Sequence, residues 1–228
     1  MDEVMRLVLS GYNAYDLTYL MFLFVKIFAA VFIISMASNP MLEGGWSWDT
    51  ANALGLAALA GLLYLSVTAR GARNLVKHEN FGYVVTGLIS LHGLWLLFGD
   101  GAVIEYIKPD APLYMWAGII GLGLAFALVL LSIMPTRFNV FGGYPLFKLW
   151  HRIIAIVIVV LALYHTLAAG FYFEAWYQIA AVMLLSIWIC FSRELGMSPH
   201  QATVASSKQF LVVTLLGVTI FVAVRNIA

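Results

Sequence analysis

Charged residues are scarce in this chain. Of its 228 residues only 10% are Asp, Glu, Lys or Arg, while 63% are hydrophobic and the mean hydropathy is +0.96. Soluble domains carry about 25% charged residues, so the composition excludes an ordinary soluble protein. The net charge of +1 and the lack of a basic patch give no reason to expect a nucleic-acid partner.

Cysteine and a nucleotide-binding fingerprint are missing as well. Cys190 is the single cysteine, which excludes an intramolecular disulfide and a cysteine-based metal cluster. Gly118, Gly121 and Gly123 lie inside an apolar stretch rather than in a strand–turn–helix unit, so they form no dinucleotide-binding motif. We therefore expect no flavin or NAD(P)H domain in this chain.

Hydrophobic segments occupy most of the sequence, and most are near the length of about 20 residues that crosses a bilayer as a helix. The seven segments are Leu17–Met36, Ala51–Val67, Phe81–Phe98, Leu113–Met134, Leu149–Ala169, Trp176–Phe191 and Phe210–Val224. They predict an all-α polytopic transmembrane helical bundle surrounded by membrane lipid. We expect one membrane domain over residues 1–228, with a core at 16–195 and an extra C-terminal helix at 206–226. Met1–Asp16 is interpreted either as an interfacial segment or as a short tail.

Lysine and arginine are divided unequally between the two sides of such a bundle. If all seven segments span, one side carries only Lys108 and Arg225. The other side carries Arg6, Arg70, Arg73, Lys77, Arg137, Lys148, Arg152, Arg193 and Lys208. Because cytoplasmic loops carry the excess of Lys and Arg, we expect the richer side and the N-terminus to be cytoplasmic. The expected location is a bacterial inner membrane.

Four of the five histidines form two pairs with equal spacing: His78 and His92 on the third segment, His151 and His165 on the fifth. Fourteen residues advance a helix by about 21 Å and leave a rotation of only about 40°. Each pair therefore lies on nearly one helix face. The two segments run in the same direction, which places His78 level with His151 and His92 level with His165. Two imidazoles at each of two depths suit two haems, each with an axial imidazole on both sides.

The same four histidines are also compatible with roles that need no haem. Hydrogen-bonded packing histidines are common, although ionisable groups at membrane depth are usually functional. Zinc or copper also binds imidazole, but two histidines at each level are too few for a tetrahedral shell. A proton or metal-ion transporter without haem is the alternative function, and a structural assembly subunit is a third. Lys26, within the first segment, either snorkels to the surface or contacts a propionate or quinone.

The register of His78, His92, His151 and His165 on the third and fifth segments resembles the ferric reductase-like transmembrane domain. That family includes metal reductases, NADPH oxidases and the haem-binding membrane subunit of bacterial methionine sulfoxide reductase systems. The resemblance covers residues 78–192. It implies that the four histidines bind two haem b groups and that electrons cross the membrane to an acceptor on the outer side. The family core has six helices, whereas seven segments are predicted here.

The resemblance also implies partners and further site residues. The chain would be the haem-binding membrane subunit of an oxidoreductase, with electrons from a separate flavoprotein or a quinol on the cytoplasmic side. A quinone or a flavin would then be supplied by the partner, and the sequence leaves the outer acceptor open. Lys77 and Arg152 are expected to bind haem propionates, or else to act only as cytoplasmic membrane anchors. Gly82, Gly87 and Gly93 would either admit a flat macrocycle or serve helix packing.

Overall fold

The computed structural model describes residues 23–37, 45–67, 72–99, 101, 104, 107–191 and 206–227. These residues form eight helices, and no strand occurs among them. The helices are α1 (Leu23–Met36), α2 (Gly45–Val67), α3 (Ala72–Gly99), α4 (Leu113–Ile133), α5 (Arg137–Val140), α6 (Tyr144–Ala169), α7 (Trp176–Phe191) and α8 (Ser207–Ile227). Each predicted hydrophobic segment coincides with a helix, so the prediction of an all-α bundle is confirmed.

Five helices have the length and hydropathy of a membrane span: α2, α3, α4, α6 and α8. The described part of α1 and the whole of α7 are shorter apolar helices. The chain is therefore an integral membrane protein. Met1–Asp16 and His200 lie outside the described residues, as does the side chain of Arg73.

Two helices begin earlier than the hydrophobic pattern indicated. α3 starts nine residues before the predicted Phe81, and α6 starts at Tyr144 rather than Leu149. Gly143, with φ of 121°, precedes α6, and Pro145 lies in its first turn, where a missing N–H costs no helical hydrogen bond. Gly170 ends α6 in the left-handed conformation, with φ of 74°. As a result, all four paired histidines lie inside regular helix.

The central helix of the bundle is α2, in which 13 of the 23 residues are buried. Its interior positions are rich in alanine, and small residues let helices approach closely in a membrane. At Gly61 the approach to α3 is so close that an added Cβ would lie 2.6 Å from Cγ2 of Val85. Besides α3, the neighbours of α2 include α6, α7 and α8, and Tyr64 of α2 also packs against Phe24 of α1. The position of α2 therefore depends on most of the molecule.

An aromatic cluster joins α1, α2, α3 and α8 near the end of the bundle that contains His78. The ring of Phe24 packs edge-on against Tyr64, Phe81 and Phe210, with centroids 5.3, 5.9 and 5.4 Å away. Lys26, two residues further along α1, is exposed on the outside of the bundle. This exposure favours the snorkelling interpretation of Lys26 over a contact with a group inside the bundle.

At the opposite end, a buried polar cluster ties α8 to the start of α2. Arg225 Nε lies 2.8 Å from Asp49 Oδ1, and both side chains are buried. Tyr172 donates its hydroxyl to Asp49 Oδ1 at 2.9 Å, and Asn226 donates to Oδ2 at 2.8 Å. Burial and the charge of Asp49 raise the pKa of Tyr172, so its phenol stays protonated and able to donate. The sequence placed Arg225 in a loop, whereas the structure buries it.

Replacing Asp49 with Ala should destabilise the protein strongly. The substitution leaves the buried guanidinium of Arg225 without its carboxylate, a loss of about 3–5 kcal/mol. Tyr172→Phe removes a single hydrogen bond and should cost only about 1 kcal/mol. Thermal unfolding in detergent compares the two variants. Equal midpoints for Asp49→Ala and Tyr172→Phe would show that the ion pair does not hold α8 to α2.

Candidate functional site

The four paired histidines meet in the structure as two separate pairs. His78 on α3 faces His151 on α6, with ring centroids 6.1 Å apart and ring planes at 53°. His92 faces His165 across the same two helices, with centroids 6.3 Å apart and planes at 71°. We call these the first pair and the second pair. Because each pair joins corresponding turns, α3 and α6 run in the same direction, as the spacing predicted.

A ring of four helices surrounds both pairs. Around the ring, α2 packs on α3, α3 on α4, α4 on α6 and α6 on α2. Across the diagonal, no described Cα atom of α3 comes within 8 Å of a Cα atom of α6. Directly packed helices have axes about 8–10 Å apart, so α3 and α6 do not pack on each other. The two histidines of each pair thus face each other across the interior of the ring. Helical bundles commonly build cofactor sites in such interiors.

The separation within each pair fits two imidazoles on opposite sides of one metal ion. Metal–imidazole bonds of about 2.0 Å place the two ligand nitrogens about 4 Å apart and the ring centroids about 6 Å apart. The observed centroid distances are 6.1 and 6.3 Å. Within the described parts of the chain, no group of three or more His, Cys, Asp or Glu side chains comes together. Each level therefore offers two imidazoles, which would suit an iron whose other four ligands belong to a macrocycle.

Backbone carbonyls fix the tautomer of the second pair. Nδ1 of His92 lies 2.8 Å from the carbonyl oxygen of Ala51 on α2. Nδ1 of His165 lies 2.9 Å from the carbonyl oxygen of Tyr114 on α4. Because a carbonyl only accepts, each Nδ1 carries the proton and donates it, and each Nε2 keeps a free lone pair. This is the arrangement that metal-ligating histidines usually show.

An unpaired indole lies close to the second pair. Trp48 precedes Ala51 by nearly one turn of α2, and its ring packs edge-on against Phe171, just beyond the end of α6. Its Nε1 is buried and has no hydrogen-bond partner among the described residues. Buried N–H groups are nearly always paired. A carboxylate of a bound group would supply the acceptor that Trp48 lacks, so the residues present fit a haem.

The short helix α5, which the sequence did not predict, lies beside the first pair. Arg137 on α5 forms an ion pair of 3.4 Å with Glu79, the residue after His78, and donates a hydrogen bond to the carbonyl of Ser132. The ring of Phe147 lies 5.7 Å from that of His151. Phe147, in the first turn of α6, also packs against Phe138 and Phe141, which lie between α4 and α6. The only sequence signal for this arrangement is the run of Phe residues between α4 and α6.

The predicted propionate ligands and glycines also have defined places. Lys77 is half-buried and Arg152 is exposed, and each adjoins a histidine of the first pair. An added Cβ at Gly82, Gly87 or Gly93 would meet no described atom within 4 Å. These three glycines border open space rather than a packed neighbouring helix. This argues against the helix-packing interpretation, and Gly87 is exposed on the helix face about 180° from His78, away from the paired histidines.

These features define a helical membrane domain that carries two imidazole pairs at two depths. Residues 70–162 match the family described as ferric reductase like transmembrane component, and this range contains the histidines of the first pair and His92. The predicted resemblance is thus confirmed over that range. Such domains carry out transmembrane electron transfer and work with redox partners. No curated protein and no solved structure matches the chain.

Proposed function

We propose that this protein moves electrons across the membrane by means of two haem b groups. His78 and His151 would hold one group, and His92 and His165 the other. The observation that carries this proposal is the presence of two imidazole pairs, each about 6 Å wide, in the space between α3 and α6. When bound, each haem would supply a one-electron ferric–ferrous couple.

The histidines decide what kind of redox chemistry the site supports. If the two imidazoles of each pair held a haem iron, neither oxygen nor a substrate could bind that iron without displacing a histidine. Such a ligand set favours electron transfer over oxygen activation. At the second pair, the carbonyls of Ala51 and Tyr114 hold the rings in orientation. That hydrogen bonding also makes the ligand nitrogens more basic.

The helix faces between the two levels are uncharged. Residues 80–91 of α3 and 153–164 of α6 contain no Asp, Glu, Lys or Arg. These two stretches therefore carry no charged side chain that could relay protons or metal ions between the levels. This favours electron transfer over the alternative of a histidine-based transporter.

The two ends of the bundle would meet different partners. Lys77 and Arg152 adjoin the first pair, and their charged groups would bind propionate carboxylates through charge-assisted hydrogen bonds. The excess of Lys and Arg at this end would place it on the cytoplasmic side. A flavoprotein or a quinol would donate electrons there. The acceptor would lie on the outer side, beyond the second pair.

Single histidine substitutions should remove one haem and leave the other. His92→Ala and His165→Ala should each lower the haem content from about two to about one per chain, because one axial ligand holds haem poorly. His78→Ala should lose the other haem, and His200→Ala should lose none. Pyridine haemochrome quantitation and redox titration distinguish the two groups. A folded variant in which one substitution removes both haems, or neither, would contradict the assignment.

The charge beside the first pair should tune only one of the two potentials. A carboxylate next to His78 stabilises the more positive, oxidised iron, so Glu79→Gln should raise the midpoint potential of the group at the first pair. The second pair lies about 21 Å along the helix and should be nearly unaffected. Asp110→Asn, on the exposed connection before α4, is the matched control. A potential at the first pair that does not change in Glu79→Gln would place Glu79 away from that group.

A further inference from the structure

We propose that Gly55 on α2 and Gly118 on α4 are positioning residues of the second pair, and that they fix the ligand geometry of His92 and His165. This inference rests on the proposed function, because its meaning depends on a metal group at that pair. Neither glycine was distinguished from other small residues by the sequence. The structure singles them out because each lies directly against a histidine ring.

Both glycines leave room that a methyl group would fill. A Cβ added to Gly55 would lie 3.0 Å from Cε1 and from Nδ1 of His92. A Cβ added to Gly118 would lie 2.9 Å from Nδ1 of His165 and 3.1 Å from its Cε1 and Cγ. Carbon atoms in proteins prefer separations of about 3.5–4.0 Å. With alanine at either position, the imidazole would have to move.

Each glycine follows, by one helical turn, the residue whose carbonyl accepts a hydrogen bond from the imidazole that lies against that glycine. Ala51 precedes Gly55 by four residues, and Tyr114 precedes Gly118 by four. In an α-helix the carbonyl of residue i lies next to residue i+4. A carbonyl oxygen has two lone pairs, so it can accept a side-chain donor in addition to the helical hydrogen bond. A carbonyl followed four residues later by glycine thus forms a seat in which an imidazole lies flat and donates its Nδ1 proton.

The two seats occur at equivalent places in two helical hairpins. One hairpin is α2–α3, in which α2 carries the seat and α3 the histidine. The other is α4–α6, in which α4 carries the seat and α6 the histidine. Seat carbonyl and histidine are 41 residues apart in the first hairpin and 51 in the second. Six of these ten extra residues fall in the connection that contains α5, which has ten residues where the α2–α3 connection has four. Each ring of the second pair therefore contacts a carbonyl and a glycine of the neighbouring helix in the same way.

The seats determine how the second pair would bind metal. While Nδ1 donates to a carbonyl, Nε2 is the only ring nitrogen with a free lone pair. A methyl group at the seat would displace the ring, weaken the Nδ1 hydrogen bond and misdirect Nε2. Changes in such supporting contacts typically lower metal affinity about 10- to 100-fold. The closer contact at Gly118 predicts a larger effect for Gly118→Ala than for Gly55→Ala.

The test compares four glycine-to-alanine variants of the full chain. Gly55→Ala and Gly118→Ala alter the seats. Gly121→Ala lies on α4, where the new Cβ would meet Leu161 at an ordinary 3.6 Å. Gly61→Ala lies on α2, where the new Cβ would clash with Val85 at 2.6 Å, away from any histidine. Gly61→Ala therefore controls for loss of packing without a change at the seat.

The readouts are haem content, the two midpoint potentials, the low-spin EPR signals and the thermal unfolding midpoint. Gly118→Ala should lose the haem of the second pair and keep that of the first. Gly55→Ala should shift the midpoint potential and EPR signal of the second group alone. Gly61→Ala should lower the unfolding midpoint but leave both potentials and both signals unchanged. Gly121→Ala should match the unaltered protein throughout.

Two contrary outcomes have different meanings. If the unaltered protein binds two haems and both seat variants keep its potentials and EPR signals, the glycines do not position the second pair, and the proposed function stands. If Gly61→Ala changes the second group as much as Gly118→Ala, the effect is packing and the inference is also wrong. If the unaltered protein from haem-replete cells binds no haem, the proposed function itself fails.

Discussion

The separation of α3 from α6 is the constraint on which the rest of the structure depends. Four imidazoles lie within an apolar bundle, where a ring nitrogen without a hydrogen-bond partner or a bound metal lowers the stability of the fold. The ring of α2, α3, α4 and α6 keeps the two histidine-bearing helices on one diagonal, so their rings face each other without the helices packing together. The helices of the other diagonal, α2 and α4, provide the carbonyls that pair with the outward edges of the second pair.

This arrangement works only if α2 and α4 hold their positions. The hold on α2 comes from outside the ring, through the aromatic cluster at one end and the buried ion pair of Asp49 and Arg225 at the other. Asp49 precedes Ala51 by two residues, so the ion pair fixes the same turn of α2 that receives His92. The seventh predicted segment, α8, is thus more than an addition to a six-helix core. It anchors the helix that orients His92 of the second pair.

Much of the fold could be predicted from the sequence because bilayer thickness sets the length of apolar segments. The pairing of the histidines could be predicted too, since fourteen residues nearly complete four turns and keep each pair on one face. Further features depend on which helices are neighbours, and hydropathy does not encode that. Gly55 looks like any small residue of α2 until His92 is placed against it. In the same way, Arg225 looks like a loop cation until Asp49 is found beside it.

The most direct test of the central claim is a dithionite-reduced minus oxidised absorption spectrum of the purified protein in detergent, with haem quantified per chain. The account predicts about two haem b groups, both low-spin, because two imidazole pairs each supply both axial ligands. One haem per chain would mean that one of the two pairs has another role. A folded protein that carries no haem when produced in haem-replete cells would contradict the account, and the paired histidines would then have to serve metal-ion or proton transport.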